Sequence, residues 1–580
     1  MAITLRLYNI HKVYALLLAL LFTIATQRVF AQDKKPKLSE DKQIAFDQHF
    51  INGNKYIILK QPDEAVKELN QALAIDADNA TVHYLLAQVY LGKGLLVDAE
   101  MHAQKSTLLD DKNTWYAKQL AEVYKQQKEY EKAGDVLSKL YTANPGQMVS
   151  LFDATYMYVL SRKLDKAMKL LETGEKNAGL DEDIIRQKQS IYLAQNKVDK
   201  AIKEGEKLVK AQPENTRYIG MLADIYLAHG KEEKANELYR KILSMEPDNG
   251  YALLALADDY RNKLNNTEYI NYMLKAIRSP KLDVKVKLKV VVEFISKNTQ
   301  TEEQKNKGFD LAIALTEANA DEAGVWMLLG DLYAQNGRYK EAHGNYEKAI
   351  LIDPSNYTVW RQMILCSNEL KDQAQMVKDC ERAIELFPEE ALFYSYLTFA
   401  TQQLKQYEKT IAVARKGIEV SIEQAQLKLQ FYIMIGDAAH FLKQYPTSDS
   451  AYEMALTIDA NNAYALNNYA YFLSLRKQKL DRAAEMSKHS IELDGENASY
   501  YDTYGWILFV QKKYTDAKIQ IEKSLQMEPK NPEVVDHYGD VLFHLGETEK
   551  AVEQWKLARS LNAENTVIDR KIKDRKWYEQ

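Results

Sequence analysis

The sequence lacks the residue patterns of the common catalytic and metal sites. It has no Cys-x-x-Cys, no His-Glu-x-x-His, no glycine-rich phosphate loop and no serine flanked by the glycines of a nucleophile elbow. The ten histidines are scattered, and the closest pair in the repeated part, His537 and His544, has no third ligand near it in the sequence. We therefore expect a protein that is not an enzyme and that holds no cofactor or metal ion.

An excess of basic residues is also missing. The formal net charge is -5, and it becomes -8 when Arg6, Lys12 and Arg28 are removed with the N-terminal segment. Basic patches with base-stacking aromatic residues would shift the charge the other way, so we expect no nucleic-acid partner. With 46% apolar and 27% charged residues, the composition indicates a folded chain.

Only one segment is apolar enough to approach a membrane span. Residues 13–25 are apolar, follow Arg6 and Lys12, and precede Val29 and Ala31 at the spacing of a cleavage site. This pattern predicts a secretory signal peptide over residues 1–31, since a full span needs about 20 residues. An uncleaved anchor is the alternative. We expect an exported, periplasmic or secreted protein whose mature chain has no transmembrane segment, even if it associates with the envelope, and a polar lead-in over 32–45.

What the sequence does contain is a strict repeat. Seven tyrosines stand 34 residues apart, and an alanine follows nine residues after each of the first six. A fixed spacing of this size indicates one structural unit copied end to end. The tyrosines are Tyr56, Tyr90, Tyr124, Tyr158, Tyr192, Tyr226 and Tyr260.

The repeat is clearest in the block that starts at Ala323. Positions 4, 7, 8 and 11 of this block suit one face of a first helix, and positions 20, 24 and 27 suit one face of a second. Small residues at positions 8 and 20 allow the two backbones to approach closely. The residues are Trp326, Leu329, Gly330, Tyr333, Ala342, Tyr346 and Ala349, with Pro354 at position 32. This is the tetratricopeptide signature, and the block resembles that family closely. The resemblance implies an all-α fold, a right-handed superhelical solenoid of helix-turn-helix repeats.

The same register runs through fourteen blocks. We predict seven repeats over 46–283, seven over 323–565 and a capping helix over 566–580. Residues 284–322 keep only helical periodicity, so we predict a divergent helix pair and a possible hinge there. The alternation of Val and Lys over 284–292 would by itself suit a strand, but helical neighbours should decide. The blocks start at Phe46, Ala80, Thr114, Met148, Glu182, Thr216, Gly250, Ala323, Tyr357, Ala391, Leu429, Ala463, Ala498 and Pro532.

The two cysteines fall in the block that starts at Tyr357. Cys366 occupies position 10 on the first helix and Cys380 occupies position 24 on the second. A disulfide across this hairpin is conceivable in an oxidising compartment. Position 10 normally points away from the helix seam, which favours two separately packed thiols.

The family resemblance also implies where ligands bind. In relatives, positions 2, 5, 9, 12 and 13 of the first helices line a concave groove and meet the ligand. The carboxylate clamp of chaperone-binding relatives is absent, because its best candidate, Lys118, is followed by Glu122 and Asp153 instead of asparagines. Two groups of groove residues remain. The N-terminal patch consists of Phe50, Tyr84, Phe152 and Tyr156, and the C-terminal ladder consists of Asn467, Tyr471, Asp502, Trp506, Asp536 and Asp540.

The C-terminal ladder allows two interpretations. As a binding site, it would offer an exposed Trp506 beside carboxylates that select a basic partner. As packing, its Asn and Asp side chains would hydrogen-bond neighbouring first helices to each other while Trp and Tyr fill the narrow end of the superhelix. The surroundings of the ladder resemble a recurring C-terminal module of exported bacterial tetratricopeptide proteins.

These features together suggest a non-enzymatic scaffold or adaptor. We expect it to bind partner proteins or peptides in its groove, with cell-envelope assembly as the setting. The alternative is a carbohydrate- or peptidoglycan-binding module that uses the aromatic groove residues.

The signal peptide leads to the first testable prediction. Mass spectrometry of the mature protein should find Gln32 at its N-terminus, because Ala31 completes the cleavage pattern. Mature material that still carries residues before Val29 would contradict the prediction.

Overall fold

The computed structural model describes residues 38–298, 301–561 and 566–579. In these ranges the chain is helical, with short turns and no strand. The backbone contacts divide it into two compact units, Met1–Glu246 and Pro247–Gln580. The predicted signal peptide lies outside the described residues.

The first unit contains six helix pairs in its described part. Most first helices have 13 residues and most second helices have 14. In chain order they are α1 Glu40–Ile58, α2 Pro62–Ile75, α3 Ala80–Gly92, α4 Leu96–Leu109, α5 Thr114–Gln126, α6 Tyr130–Ala143, α7 Met148–Leu160, α8 Leu164–Ala178, α9 Glu182–Ala194, α10 Val198–Ala211, α11 Thr216–Ala228 and α12 Glu232–Met245.

The second unit continues with nine pairs and a final helix in its described part. The helices are α13 Gly250–Asn262, α14 Asn266–Arg278, α15 Val284–Lys297, α16 Glu302–Ala318, α17 Ala323–Gln335, α18 Tyr339–Ile352, α19 Tyr357–Glu369, α20 Gln373–Leu386, α21 Ala391–Gln403, α22 Tyr407–Val420, α23 Ala425–Phe441, α24 Tyr445–Ile458, α25 Ala463–Leu475, α26 Leu480–Leu493, α27 Ala498–Val510, α28 Tyr514–Met527, α29 Pro532–His544, α30 Thr548–Leu561 and α31 Thr566–Asp574. The odd-numbered helices from α1 to α29 are the first helices of their pairs, and within each unit we call their surface the first-helix face.

The predicted block starts coincide with the first residues of first helices, except at two places. Helix α1 begins at Glu40 instead of Phe46, because Glu40 and Asp41 supply the acidic residues that favour a first turn. Helix α23 begins at Ala425 instead of Leu429, so the additional residues after Val420 extend the helix. The Val-Lys alternation after Val284 is helical, as expected from its helical neighbours.

Local signals at both ends set the length of each first helix. In α3, α5, α9 and α11 an Asn or Asp at the N-cap accepts a hydrogen bond from a backbone N–H of the first turn. At the other end, the carbonyl of each repeated tyrosine from Tyr56 to Tyr226 accepts from the N–H five residues later, at 2.8 to 2.9 Å. The residue immediately before that N–H group has a φ of 55° to 70°. This is the geometry of a Schellman cap.

Four of the repeated tyrosines make a cation–π contact with a lysine of the next helix. A lysine eight residues after the tyrosine places its Nζ 5.5 to 5.7 Å from the centre of the ring. This arrangement joins the two helices of a pair through a cation–π contact. The pairs are Tyr124 with Lys132, Tyr158 with Lys166, Tyr192 with Lys200 and Tyr226 with Lys234.

Positions 8 and 24 meet at the seam of each helix pair. A Cβ atom added to Gly330, at position 8, would lie 2.7 Å from the ring of Tyr346, at position 24. In the pair α9 and α10 the large residue is at position 8 and the small one at position 24. Gln189 occupies position 8, and a Cβ atom added to Gly205, at position 24, would lie 2.7 Å from the side-chain amide nitrogen of Gln189. In these two pairs one large and one small residue share the space between the two backbones.

The remaining expectations concern cysteine and the membrane. Cys366 and Cys380 are buried free thiols, and burial raises the pKa of both, to about 12 for Cys366. Among the described helices, none combines the length and the apolar character needed to cross a bilayer.

The seam gives a prediction about stability. Gly330→Ala should lower the free energy of unfolding by about 1 to 3 kcal/mol, because its methyl group overpacks against Tyr346. Gly344→Ala is the matched control on the partner helix, where a Cβ meets no atom within 4 Å. It should stabilise by about 0.5 to 1 kcal/mol through helix propensity. Chemical denaturation of both variants checks the pair, and equal effects of the two alanines would refute the role of the seam.

Candidate functional site

The last carboxylates of the C-terminal ladder lie inside the protein. Asp536 and Asp540 are buried, and so is Lys571 of the final helix α31. The Lys571 ammonium donates to Asp536 at 2.9 Å and to the two oxygens of Asp540 at 2.6 and 2.8 Å. Burial raises the pKa of Asp540, and the ammonium opposes that rise. These two carboxylates therefore hold α31 against the last repeat.

The third carboxylate is also paired within the chain. The Nδ1 atom of His537 lies 3.0 and 3.1 Å from the two oxygens of Asp502, and both residues are buried. Burial acts to lower the pKa of His537, but Asp502 outweighs it and the pKa rises to about 9. The imidazolium stacks on Trp506, with ring centroids 4.2 Å apart. The three ladder carboxylates are thus paired with basic side chains of the same chain, and the hydroxyl of Tyr471 donates to Glu533 at 2.8 Å.

The aromatic members of the ladder line a cavity of about 380 Å³, which we call the Trp506 cavity. Trp577, which follows α31, closes one side of it by donating Nε1 to Asp540 at 3.2 Å, and Glu579 pairs with Lys477 at the rim. Asn467 is buried and does not line this cavity. The aromatic walls are Tyr471, Trp506, Phe509, Tyr514, His537, His544 and Trp577.

Two polar atoms of the Trp506 cavity lack an internal partner. Trp506 Nε1 and His544 Nε2 are buried, and neither has a hydrogen-bond partner among the described residues. Burial lowers the pKa of His544, which favours the neutral ring. A bound ligand with oxygen atoms could satisfy both nitrogens.

The residues of the N-terminal patch differ in exposure. Phe50 stacks on a neighbouring phenylalanine with centroids 5.9 Å apart, and Tyr84 packs 5.2 Å from a tyrosine of α5. Phe152 packs against the core, whereas Tyr156 is 57% exposed. Trp115, at position 2 of its block, is 67% exposed and was missed by the sequence analysis although its position is one that meets ligands in relatives.

A second cavity was also missed. It has a volume of about 530 Å³ and lies on the first-helix face, among α19, α21, α23 and α25. We call it the Asp437 cavity, after the buried residue of α23 at position 9 of the block that starts at Leu429. The signal in the sequence is an acidic residue at position 9 of the block before the ladder. The other main lining residues are Leu365, Met376, Phe399, Gln402, Ile433, Met434 and Tyr464.

The carboxylate at position 9 is held by a recurring contact. In three blocks a tyrosine at position 24 donates its hydroxyl hydrogen to an aspartate at position 9 of the same pair. The seam residue thereby fixes a carboxylate that stands next to the first-helix face. The pairs are Tyr239 with Asp224, Tyr346 with Asp331 and Tyr452 with Asp437.

Comparison with known proteins agrees with this architecture. Residues 53–94 match a family model described as TPR repeat, and residues 190–252 and 323–356 match models described as tetratricopeptide repeat. The chain is 24% identical over 233 residues to the human mitochondrial import receptor subunit TOM70, which covers 40% of this chain and 38% of the receptor subunit. It therefore spans less than half of the length of that relative.

Two further similarities are limited in length or in closeness, one to a curated protein and one to a solved structure. The type IV pilus assembly protein PilF of Pseudomonas aeruginosa is 32% identical over 99 residues, which are 17% of this chain and 38% of PilF. The solved structure of Naa15/Naa10 bound to HypK-THB aligns over 96% of both chains at 16% identity, with a TM-score of 0.39.

The charge cluster at α31 gives the next prediction. Lys571→Met should destabilise α29 to α31 by about 3 to 5 kcal/mol, because it leaves Asp536 and Asp540 buried without a cation. Hydrogen exchange of the α29 amides measures the effect. Lys573→Met, on the exposed side of the same helix, is the control and should leave exchange unchanged. Similar exchange in both variants would mean that the cluster does not hold α31.

Proposed function

Because the chain is built of tetratricopeptide repeats, we propose that it is an exported, non-enzymatic scaffold that binds partner proteins or peptides on its first-helix face. Its setting in this proposal is the assembly of the cell envelope. The predicted signal peptide supports export. Two relatives are named as an import receptor subunit and a pilus assembly protein, and both names denote work on other proteins.

One observation carries the proposal. The first-helix face of the second unit has two cavities, and their walls combine aromatic rings with amide, carboxyl and imidazole groups. Buried aromatic anchors surrounded by a few polar groups are typical of the pockets that dominate protein interfaces. In this proposal the candidate residues Tyr471 and Trp506 contact the partner. The three ladder carboxylates hold the helices that form the face in place through their pairs with His537 and Lys571.

A carbohydrate ligand is the second candidate. The Trp506 cavity favours it because a sugar ring could stack on the aromatic walls while its hydroxyl groups satisfy Trp506 Nε1 and His544 Nε2. Soluble peptidoglycan fragments should then quench the fluorescence of Trp506, and a Trp506→Phe variant should lose that response.

Site-directed photocrosslinking in the native envelope tests the main proposal. A photoreactive phenylalanine analogue replaces Tyr464, which is 50% exposed at the Asp437 cavity, or Tyr156, which is 57% exposed. The control replaces Leu557, which is 42% exposed on the second helix α30. We expect protease-sensitive adducts from one or both first-helix positions and none from Leu557.

Two outcomes would contradict the main proposal. Equal adducts from all three positions would show contact without a preferred face. Adducts that resist protease but shrink with a muramidase would favour the carbohydrate candidate instead.

A further inference from the structure

One buried carboxylate differs from the others in its partners. Among the described residues, seven acidic side chains are buried, and six of them lie within 3.0 Å of a nitrogen atom of a basic side chain. Asp437 has no such contact in that part of the chain. A buried charge is costly unless it is paired, so the ionised form of Asp437 would be stabilised by a cation that its described neighbours do not supply. The six paired residues are Glu204, Asp259, Asp379, Asp502, Asp536 and Asp540.

The groups that do contact Asp437 are neutral. Tyr452 donates its hydroxyl hydrogen to Oδ1, and Gln402 Nε2 donates to Oδ2 at 3.2 Å. Asn468 and Tyr464 also hydrogen-bond to this carboxylate. Burial raises the pKa of Asp437, and these hydrogen bonds oppose the rise. A cation in the cavity would favour the ionised form further.

The same contact leaves a second acceptor in the cavity wall. The amide nitrogen of Gln402 donates to Asp437. The amide oxygen of the same side chain, Oε1, is buried and has no hydrogen-bond partner among the described residues. Both side chains line the cavity, so its polar part offers a carboxylate and an amide oxygen. Such a pair of acceptors suits a group with several N–H donors.

The rest of the wall is mixed, with Asn368, Ser395, Gln403 and Gln430 beside an apolar and adaptable part. Leu365, Phe399 and Ile433 contribute hydrocarbon surface, and Met376 and Met434 contribute flexible thioethers. The volume of about 530 Å³ lies within the range of ligand sites in proteins. An aliphatic chain would bury its methylene groups against these residues while its charged end reaches Asp437.

We propose that the Asp437 cavity binds an ammonium or guanidinium group on an aliphatic chain, supplied by a lysine or arginine side chain of the partner protein. The proposal rests on the proposed function, because it names the residue type that enters the first-helix face. The Asp437 carboxylate and the Gln402 carbonyl accept the N–H hydrogens, and the apolar wall contacts the methylene groups.

Titration of the purified full chain with short peptides tests the site. The probe is a blocked glycine-serine heptapeptide with one central lysine, and its counterpart carries norleucine, which keeps the methylene groups without the charge. We expect the lysine peptide to bind at least tenfold more tightly than the norleucine peptide, as measured by ligand-observed NMR. Equal binding of the two peptides would overturn the proposal.

A pair of variants separates the site from the fold. Asp437→Asn removes the charge while keeping the shape, and it should abolish the preference for lysine. Asp331→Asn is the matched control, because Asp331 also stands at position 9 and accepts from a position-24 tyrosine, Tyr346, at 2.7 Å, but does not line the cavity. The control should bind the lysine peptide as the original chain does. A preference for lysine that survives Asp437→Asn, or is lost equally in the control, would overturn the assignment.

A further comparison identifies the source of the amine. Free 1,5-diaminopentane should bind more weakly than the lysine peptide, and tighter binding of the diamine would refute a protein side chain as the occupant. The photocrosslinking experiment is independent of these titrations. Partner adducts together with no lysine preference would refute only the Asp437 site, whereas a lysine preference without any adduct would refute the scaffold function.

Discussion

The close approach of two helices across positions 8 and 24 is the constraint on which each repeat depends. At Gly330 and at Gly539 a side chain as small as alanine would meet the ring at position 24, at 2.7 Å from Tyr346 and 2.5 Å from Trp555. The reversed pair of Gln189 and Gly205 shows that the shared volume matters more than which helix supplies the large residue. The seam therefore fixes the distance between the helices of a pair.

The seam also determines what the first-helix face presents. In four of the described pairs the ring at position 24 hydrogen-bonds to the carboxylate at position 9, as Tyr346 does to Asp331 and Trp555 does to Asp540. The carboxylate is thus positioned by the core although it stands beside the face where ligands are expected. Its chemical character then depends on whether the chain provides a cation. Lys571 neutralises Asp540, whereas Asp437 remains with neutral donors.

Local periodicity made much of this fold predictable from the sequence. The 34-residue spacing located the starts of most first helices because caps, turns and seam residues all recur in the same register. The shift at Leu429 was not predictable in this way, since residues added in a connection can extend either the turn or the helix. The candidate site was harder to predict from the sequence than the fold. The partner of Asp540 is Lys571, which belongs to a helix outside the repeat register. That the described neighbours of Asp437 are neutral becomes visible only when their side chains are placed.

The buried cluster around Lys571 has a consequence for how such a protein changes length during evolution. A repeat whose tyrosine, lysine and turn recur in register, as around Tyr158 and Lys166, makes the same contacts wherever it is copied, so duplication conserves its interactions. The pair α29 and α30 is different, because a duplicate inserted upstream would carry two carboxylates into the interior and leave their ammonium behind. Gain or loss of copies should therefore be confined to the interior of the array, with the terminal pair inherited together with α31 as one indivisible element.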